Sequence, residues 1–592
     1  MPWEIREVAL PRIIHIAIFL LLFAISPLLA ASPQPVTMPN GMVVTSQRIA
    51  SEVGADILKQ GGNAIDAAVA VGYALAVVNP CCGNIGGGGF ATLHLADGRD
   101  VFLNFREKAP LAASETMFLD DKGEVVKGLS LKGHRAVAVP GTVMGLDTLL
   151  ARYGTMARSA VMAPAIKLAE EGFVLSQGDA DILARGTKDF AKQTNIAAIF
   201  LRDGKPLGAG DTLVQKELAA SLRAIAEKGP DAFYRGEIAG KIAAVSAANG
   251  GILTTADFES YTVTEDAPVR CDYRGFVVIS SPPPSSGGTA ICMILNILEG
   301  YDIRQAGWNS SQTVHLMTEA MRHAFVDRNF QLGDPAFVTN PLASLLSENY
   351  AALIRQKIDP ALATPSKDVQ PGVAPHEGTE TTHYSIVDKA GNAVSVTYTI
   401  NALFGAKVMA GDTGFFLNDE MDDFTVKPGV PNLFGLVQGK TNAIQPGKRP
   451  LSSMSPTIVT KDGKTFMVLG SPGGSRIITI VVQTLLNAID HGMDIQQAVD
   501  GPRVHHQWLP DEIAVEPFAL SADSRARLEA MGHKIVEQTP WGANEAILIG
   551  LLAPPDGTES SGNDAMAGGK TVPGLLYGGH DSRRPAGSVA GH

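Results

Sequence analysis

The stretch TTHYSIVDKAGNAVSVTYT, residues 381–399, contains two segments in which apolar and polar residues alternate around a short turn. Alternation with a period of two is typical of β-strands, and a three-residue connection that ends in glycine is typical of a hairpin. We expect Asp388 to pair with Asn392 across this turn. That register places Thr381 opposite Thr399 at the open end, and a two-residue turn would still leave the two threonines adjacent.

The threonine pair Thr381 and Thr382 comes after a proline-rich segment, residues 359–380, that has the composition of a linker or exposed loop. A threonine hydroxyl is a poor nucleophile unless a base lies beside it. The sequence has no Gly-x-Ser-x-Gly motif and no evident Ser-His-Asp order. If the chain breaks before Thr381, the new α-amine provides the base, because its ordinary pKa of about 7.7–8.0 suits proton transfer near neutral pH. The alternative is that the two threonines only cap a strand.

Length and composition indicate an ordinary globular protein. The 592 residues, of which 45% are hydrophobic and 18% charged, predict about three or four domains. The net charge of −12 and the lack of any Lys/Arg-rich block exclude nucleic-acid binding. The 62 glycines and 36 prolines favour a loop-rich α/β enzyme over a helical bundle.

The N-terminus has the three parts of an export signal. Arg6 and Arg12 precede the apolar run of residues 13–25, and small residues come after it. This pattern predicts a signal peptide over residues 1–31, and therefore a periplasmic or extracellular protein. A retained membrane anchor is the alternative, although the apolar run is short for a membrane-spanning helix and Pro27 interrupts the segment.

Helical and strand patterns alternate along the rest of the chain. Apolar residues at helical spacing predict two helices that are separated at Gly61 and Gly62. A glycine run then leads into a hairpin that turns at Asp97 and ends at Arg106. Farther on, YRGFVVISSPPPSSGG predicts a buried strand, a rigid turn and a helix over about residues 288–299.

The four cysteines, Cys81, Cys82, Cys271 and Cys292, are too few for a disulfide scaffold, and their spacing fits no zinc motif. Adjacent cysteines seldom bond to each other. We therefore predict free thiols, or at most one disulfide.

Two other patterns are weak signals for a metal or a nucleotide. His505 and His506 lie close to two acidic residues, but adjacent side chains on a strand point to opposite faces. The glycine run Gly86–Gly89 lacks the Gly-Lys-Ser/Thr ending of a phosphate loop and the spacing of a dinucleotide site. The sequence therefore predicts no metal and no cofactor.

Eight stretches of the sequence resemble the γ-glutamyltransferase (γ-glutamyl transpeptidase) family: GNIGGGGF, FREKAP, PGTVMG, SPPPSSGG, TTHYSIVDKAGNAVSVTYT, MDDF, KRPLSSMSPTIV and GSPGGSRIIT. The resemblance runs from about residue 38 to 552. It implies the fold of the N-terminal-nucleophile hydrolases, a four-layer αββα sandwich of the α/β (α+β) class. It also implies a precursor that cuts itself between Glu380 and Thr381, giving a large subunit, residues 32–380, and a small catalytic subunit, residues 381–592.

The resemblance assigns the catalytic roles. Thr381 matches the family's nucleophile, and Thr399 matches the residue that hydrogen-bonds and orients the nucleophile's hydroxyl. Gly473 and Gly474 match the oxyanion hole, and their lack of side chains allows close backbone approach. Without the resemblance, this glycine pair would be an ordinary strand-to-helix turn.

The resemblance also assigns a site for the two charges of a γ-glutamyl group. Arg106, Ser452 and Ser453 match the residues that bind the α-carboxylate, and an arginine can hold a carboxylate through two hydrogen bonds. Read alone, Arg106 would be a surface arginine at the end of a strand.

The α-ammonium needs acceptors, and Asn401, Glu420 and Asp423 occupy the matching positions. Asp422 is left out, because one of two adjacent carboxylates usually points away. The position of Glu420 varies between Glu and Gln in the family.

A segment with the sequence PGVPNLFGLVQG, residues 428–439, resembles the lid loop over the γ-glutamyl pocket. Several bacterial members have a tyrosine in this loop that bonds to the asparagine matching Asn401. This chain has Phe434 there. The difference predicts a looser gate and an altered balance between hydrolysis and transfer.

These features together predict a self-processing γ-glutamyltransferase. The expected donors are glutathione and related γ-glutamyl compounds, and the acceptors are water, amino acids or short peptides. One alternative is a cephalosporin (glutaryl) acylase of the same fold, but its acyl group has no α-ammonium for Glu420 and Asp423 to bind. A further alternative is an inactive secreted binding protein that stays one intact chain instead of becoming a heterodimer of large and small subunits.

Overall fold

The structure, a computed structural model, describes residues 32–369, 381–551 and 568–592. The predicted signal peptide, the second half of the predicted linker and Glu380 of the predicted cleavage bond lie outside these residues. The described residues from 35 to 592 form one compact unit, so the expectation of three or four domains is wrong.

The central hairpin forms in the predicted register. Strands Thr382–Val387 and Ala393–Thr399 pair antiparallel with Thr382 opposite Tyr398. This register places Thr381 beside the last residue of the second strand.

The turn of this hairpin is fixed by one buried carboxylate. Oδ1 of Asp388 accepts hydrogen bonds from the backbone N–H groups of Ala390 and Asn392 at 2.9 and 3.0 Å. Gly391 has a φ of 93°, which favours glycine. The turn therefore requires these residue types at these positions.

The hairpin belongs to a seven-stranded antiparallel sheet, called here the hairpin sheet. Its strands, from edge to edge, are Ser588–Gly591, Met42–Thr45, Thr382–Val387, Ala393–Thr399, Gly88–His94, Asp100–Phe105 and Thr264–Asp266. The strands at 88–94 and 100–105 are the predicted hairpin that leads to Arg106.

A second seven-stranded antiparallel sheet stacks on the hairpin sheet. Its strands, in order, are Val36–Met38, Leu576–His580, Glu545–Ile549, Lys464–Leu469, Thr457–Lys461, Phe276–Ser280 and Val269–Tyr273. Smaller sheets contain the strands Val504–His505, Ile513–Val515, Ile535–Glu537, Phe173–Val174, Thr212–Leu213, Leu201–Arg202 and Lys205–Pro206.

Helices cover both outer faces. The helices in the first part of the chain, up to residue 259, are Arg48–Lys59, Ala64–Val78, Thr142–Tyr153, Arg158–Glu171, Gln177–Phe190, Thr194–Phe200, Lys216–Lys228, Asp231–Tyr234, Glu237–Ala248 and Thr255–Glu259. The later helices are Gly287–Leu298, Ile303–Ala306, Ser311–Gln331, Leu342–Leu345, Glu348–Arg355, Arg476–Ile489, Ile495–Asp500 and Ala522–Ala530. The predictions of two helices separated at Gly61-Gly62 and of a helix near 288–299 are confirmed.

Alternation along the hairpin separates two apolar layers. Tyr384 and Ile386 point into the core beneath the N-terminal helices. Val387 and Ala393 point into the thin apolar layer between the two sheets. With a third core between the second sheet and the later helices, the arrangement is the four-layer αββα sandwich that the resemblance implies.

The prediction for the cysteines is wrong. Cys271, on the edge strand of the second sheet, forms a disulfide with Cys292 on the helix packed against it, with 5.7 Å between their Cα atoms. Cys81 and Cys82 also form a disulfide, in the turn after the helix Ala64–Val78. Sequence spacing could not reveal the first bond, because packing of a strand on a helix brings its two residues together.

None of the helices in the described parts of the chain is long and apolar enough to cross a membrane. The apolar run of residues 13–25 is not among the residues described.

We predict that Asp388→Ala lowers the free energy of unfolding by about 2 kcal/mol or more, because it removes the acceptor of the buried Ala64 N–H and of the two turn N–H groups of Ala390 and Asn392. The measurement is thermal or denaturant unfolding. Asp97→Ala is the matched control, since Asp97 has the same role in an exposed hairpin turn and its loss should change stability by about 0.5 kcal/mol or less. Equal effects of the two substitutions would contradict the importance of the central turn.

Candidate active site

A small cavity opens at the end of the central hairpin. Nine of the ten residues predicted for catalysis and substrate binding line it: Arg106, Thr381, Thr399, Asn401, Glu420, Asp423, Ser452, Ser453 and Gly474. The tenth, Gly473, directly precedes Gly474. The sequence-predicted site residues therefore come together at one place in the fold, from segments more than 300 residues apart.

Thr381 and Thr399 lie side by side in this cavity. Their Oγ1 atoms are 3.3 Å apart, and both residues are buried. The backbone N–H of Asn401 donates to Oγ1 of Thr399 at 2.9 Å. Because that bond occupies an acceptor position of the Thr399 hydroxyl, its hydrogen is available to Thr381.

The neighbouring His383 does not act as a base for Thr381. It points between the two sheets, where its ring nitrogens contact Thr397 and Ser385 at 2.8 and 3.1 Å. Burial lowers the pKa of His383 to about 3, so its imidazole is neutral near pH 7.

Arg106 is fully buried in the wall of the cavity. Its guanidinium contacts the carboxylates of Glu420 and Asp423, and Glu107 lies 3.3 Å away. The predicted carboxylate-binding cation is therefore paired with the two carboxylates predicted to bind the ammonium.

These carboxylates hold protons more tightly than usual. Burial raises the pKa of Glu420 and of Asp423, although the Arg106 guanidinium opposes the shift. Burial also raises the pKa of Glu107 to about 7. Three buried carboxylates surround the Arg106 guanidinium, so their ionisation is sensitive to any charge that enters the cavity.

Asp422 turns away from the cavity, as expected for one of two adjacent carboxylates. Its Oδ1 accepts from the Ser130 hydroxyl at 2.6 Å, and its Oδ2 accepts from the backbone N–H of Leu433 at 2.8 Å. Asp422 therefore anchors the lid segment instead of facing the cavity.

The lid residue Phe434 closes one side of the cavity. Its ring lies against Gly474, and its carbonyl oxygen accepts from Nε2 of Gln507 at 3.2 Å. Phe434 has no hydroxyl, and the side-chain amide of Asn401 donates to the backbone carbonyl of Asp419 at 3.0 Å. Backbone and packing contacts thus hold the lid in place of the tyrosine–asparagine bond.

Gly473 and Gly474 lie just before the helix Arg476–Ile489. Their φ angles of 142° and 56° favour glycine. The N-terminal end of a helix concentrates unpaired backbone N–H groups and positive potential, which suits it to stabilise negative charge.

Arg328, a second arginine in the cavity wall, is not among the residues predicted from the sequence. It lies on the helix Ser311–Gln331 and is 1% exposed. Burial lowers its pKa to about 10, so it remains charged near neutral pH. Nothing in the local sequence indicates its role, because a lone arginine on a helix is usually exposed.

The histidines that raised the question of a metal do not converge. His505 contacts Thr479 and Gln507, whereas His506 lies 3.4 Å from Asp511. His505 is the last residue of the strand Val504–His505 and His506 follows it, so the two side chains have separate partners.

Within the described ranges, another group of residues that could bind a metal lies outside the lining of the cavity: His315, Glu319 and His533. Both ring nitrogens of His315 are already engaged, by His533 at 2.8 Å and by the carbonyl of Asp359 at 2.7 Å. Arg322 lies 3.5 Å from Glu319. We interpret this group as a hydrogen-bonded network that joins the predicted large and small subunits.

Two stacked antiparallel sheets between helical layers, with a threonine-lined cavity at the end of the central strands, form the architecture of N-terminal-nucleophile hydrolases. A search of solved structures supports this class. The crystal structure of cephalosporin acylase from Bacillus halodurans matches with a TM-score of 0.80 and 29% identity, over 96% of this chain and 99% of that one.

Sequence comparison resolves the family. The model of the Gamma-glutamyltranspeptidase family matches residues 50–564. A glutathione hydrolase proenzyme of Pseudomonas sp. (strain A14) is 58% identical over 95% of this chain and 96% of its own length. A protein of the same name from Escherichia coli (strain K12) is 50% identical over 88% and 90%. The chain belongs to the γ-glutamyltranspeptidase family, and it is an enzyme.

We predict that Gly474→Ala lowers kcat for a chromogenic γ-glutamyl anilide by about 100-fold or more, because the new methyl group overlaps the Phe434 ring and displaces the backbone N–H beside it. Gly463→Ala is the control, since Gly463 has a φ of 73° and open space around it. Steady-state kinetics of both variants test the prediction. An active Gly474→Ala enzyme would show that this N–H is not needed.

Proposed function

We propose that this protein is a self-processing γ-glutamyltransferase and glutathione hydrolase in which Thr381 is the nucleophile. One observation carries the proposal: the threonine at the start of the central hairpin shares one cavity with Arg106 and with Glu420 and Asp423. These groups complement the carboxylate and the ammonium of a γ-glutamyl donor. The names of the two relatives given above, both glutathione hydrolase proenzymes, support the same substrate class.

The first reaction is self-cleavage. The Thr381 hydroxyl attacks the carbonyl carbon of Glu380, and the C–N bond breaks as the acyl group moves from nitrogen to oxygen. Water then hydrolyses the ester. The products are a carboxylate at Glu380 and a free α-amine at Thr381, on a large subunit of residues 32–380 and a small subunit of residues 381–592 that remain together as a heterodimer.

The second reaction uses the same hydroxyl. The free α-amine of Thr381 accepts the hydroxyl proton as the oxygen attacks the γ-carbonyl of the donor. Thr399 orients this hydroxyl, and the N–H groups of Gly473 and Gly474 stabilise the tetrahedral oxyanion. The proton passes to the leaving amine, and the γ-glutamyl ester on Thr381 then transfers to water, an amino acid or a short peptide.

Substrate charges exchange places with protein charges in the cavity. The donor's carboxylate binds Arg106, Ser452 and Ser453, and its ammonium binds Asn401, Glu420 and Asp423. Because the donor brings one negative and one positive charge, the ion pairs of Arg106 with Glu420 and Asp423 are replaced by equivalent pairs with the donor, and the net charge of the protein groups is unchanged. This exchange lowers the cost of burying the donor's charges.

A glutaryl acylase is the second candidate, and the fold likeness to a cephalosporin acylase favours it. A glutaryl group lacks the ammonium, and so it would leave the carboxylates of Glu420 and Asp423 with no new partner. The higher identity to glutathione hydrolase proenzymes also favours the γ-glutamyl assignment. The predicted signal peptide places the reaction in the periplasm or outside the cell.

We predict that the wild-type protein yields a second chain that begins with TTHYS and that Thr381→Ala stays intact and inactive. Intact mass measurement with N-terminal sequencing is the test. Thr382→Val is the control and should still be cut, because the Thr382 hydroxyl contacts Ser46 and not Thr399. A wild-type chain that remains intact after long incubation would contradict the proposed mechanism. It would favour the alternative that the protein is an inactive binding protein.

We predict that selectivity for γ-glutamyl over glutaryl anilide, taken as the ratio of kcat/KM values, rises as the pH increases from the acid range to neutral, where the donor's ammonium is still protonated. The raised pKa values of Glu420 and Asp423 leave these groups partly protonated in acid, where they bind an ammonium weakly. As the pH rises, both carboxyl groups ionise and bind an ammonium more tightly. The kcat/KM value therefore increases for the γ-glutamyl donor and not for the glutaryl donor, which has no ammonium. Titration of the Thr381 amine affects both donors alike and cancels in the ratio.

The variant Glu420→Gln should flatten this pH profile. A ratio that is already constant in the wild type would contradict the assignment of these carboxylates to the ammonium.

A further inference from the structure

Arg328 is a second buried cation in the cavity, and its surroundings differ from those of Arg106. Arg106 contacts three carboxylates, those of Glu107, Glu420 and Asp423. The hydrogen-bond partners of Arg328 are all neutral. They are Ser286, Asn329, Gln438 and Ser453.

These partners connect Arg328 to both serines of the predicted carboxylate site. Its Nη2 donates to the Ser453 hydroxyl at 3.3 Å, and its Nε donates to the Ser286 hydroxyl at 3.1 Å. The Ser286 hydroxyl in turn donates to the backbone carbonyl of Ser452 at 2.6 Å. The SPPPSSGG segment, which includes Ser286, thus links Arg328 to the backbone of the serine pair.

The hydroxyl oxygens of Ser452 and Ser453 both accept hydrogen bonds from protein groups, which leaves their hydrogens available for a ligand. Oγ of Ser453 accepts from Arg328, and Oγ of Ser452 accepts from the backbone N–H of Met454 at 3.1 Å. Each hydroxyl therefore has an acceptor position filled and can point its hydrogen into the cavity. Two converging O–H donors beside a cation suit a carboxylate.

Charge leads to the same conclusion. The three carboxylates around Arg106 already exceed its single positive charge, so Arg106 alone is a weak attractor for a fourth carboxylate. Arg328 adds a positive charge on the serine side of the cavity, where its hydrogen-bond partners are neutral and Asp423 is the carboxylate close enough to interact with that charge. One N–H of its Nη2 also remains for an additional acceptor, since a guanidinium has five N–H donors.

We infer that Arg328 is a positioning residue for the α-carboxylate of the substrate. It hydrogen-bonds the Ser453 oxygen, so that the Ser453 hydroxyl donates its hydrogen to the carboxylate. It also adds positive charge, because the charge of Arg106 is already paired with Glu420 and Asp423. This inference rests on the proposed γ-glutamyl chemistry and extends it to a residue outside the sequence-predicted site. Through Gln438, whose Oε1 accepts from Nη1 at 3.0 Å, Arg328 also links the carboxylate site to the end of the lid.

The test compares three p-nitroanilide donors on the mature enzyme. The γ-glutamyl and glutaryl donors carry the carboxylate, and the 4-aminobutyryl donor carries the ammonium without it. For Arg328→Gln we expect kcat/KM to fall by about 10- to 100-fold for both carboxylate donors, mainly through KM, and to stay within about 2-fold for the 4-aminobutyryl donor. Arg328→Lys should recover part of the loss, because it retains the charge but not the fork of donors.

Arg322→Gln is the matched control. Arg322 is an equally buried arginine on the same helix, but it contacts Asp511 and Ser366 in the subunit network. Its substitution should lower thermal stability without changing the relative kcat/KM values of the three donors.

A parallel loss with all three donors in Arg328→Gln would overturn the inference and assign Arg328 a purely structural role. If Arg328→Gln does not mature, Arg328→Lys decides: a higher KM for the carboxylate donors alone supports the inference, and equal changes for all donors overturn it. Failure of the proposed function looks different, since the wild type would then show no γ-glutamyl activity at all.

Discussion

Antiparallel pairing of the two central strands is the constraint on which the site depends. The register fixed by the Asp388 turn places Thr381 next to Thr399 at the far end of the hairpin. Because side chains alternate along a strand, a shift of one residue would turn Thr381 towards the helices and Tyr384 towards the second sheet. The same pairing that buries the core therefore decides where the reactive hydroxyl lies.

Charge balance governs the cavity at the end of this hairpin. Buried charges need compensating partners, and in this cavity Arg106 is paired with Glu420 and Asp423, whereas Arg328 is held by neutral hydrogen-bond acceptors. The zwitterionic end of a γ-glutamyl group can replace these pairs one for one. Recognition of the donor is thus an exchange of ion pairs in a buried setting, with the serine hydroxyls and Asn401 completing the hydrogen bonds.

Much of this arrangement could be predicted from the sequence because it rests on local patterns and on a family resemblance. Hairpin register and the two N-terminal helices came from short stretches, and the identities of the cavity residues came from the resemblance. The cysteines show the limit, since the bond between Cys271 and Cys292 depends on how a strand packs on a helix. The position of Arg328 could not be predicted either, because the residues around a single arginine in the sequence do not indicate whether it is buried.

The sequence by itself determined the alternation of the hairpin, its turn, and the threonine at its start, since backbone geometry and side-chain periodicity act over a few residues. Only the tertiary structure decided which charges meet. Arg106, Glu420 and Arg328 are brought to one cavity from separate strands, turns and helices by the packing of four layers. Electrostatic pairing depends on the distance between charged groups and on their burial, and the order of residues along the chain shows neither directly.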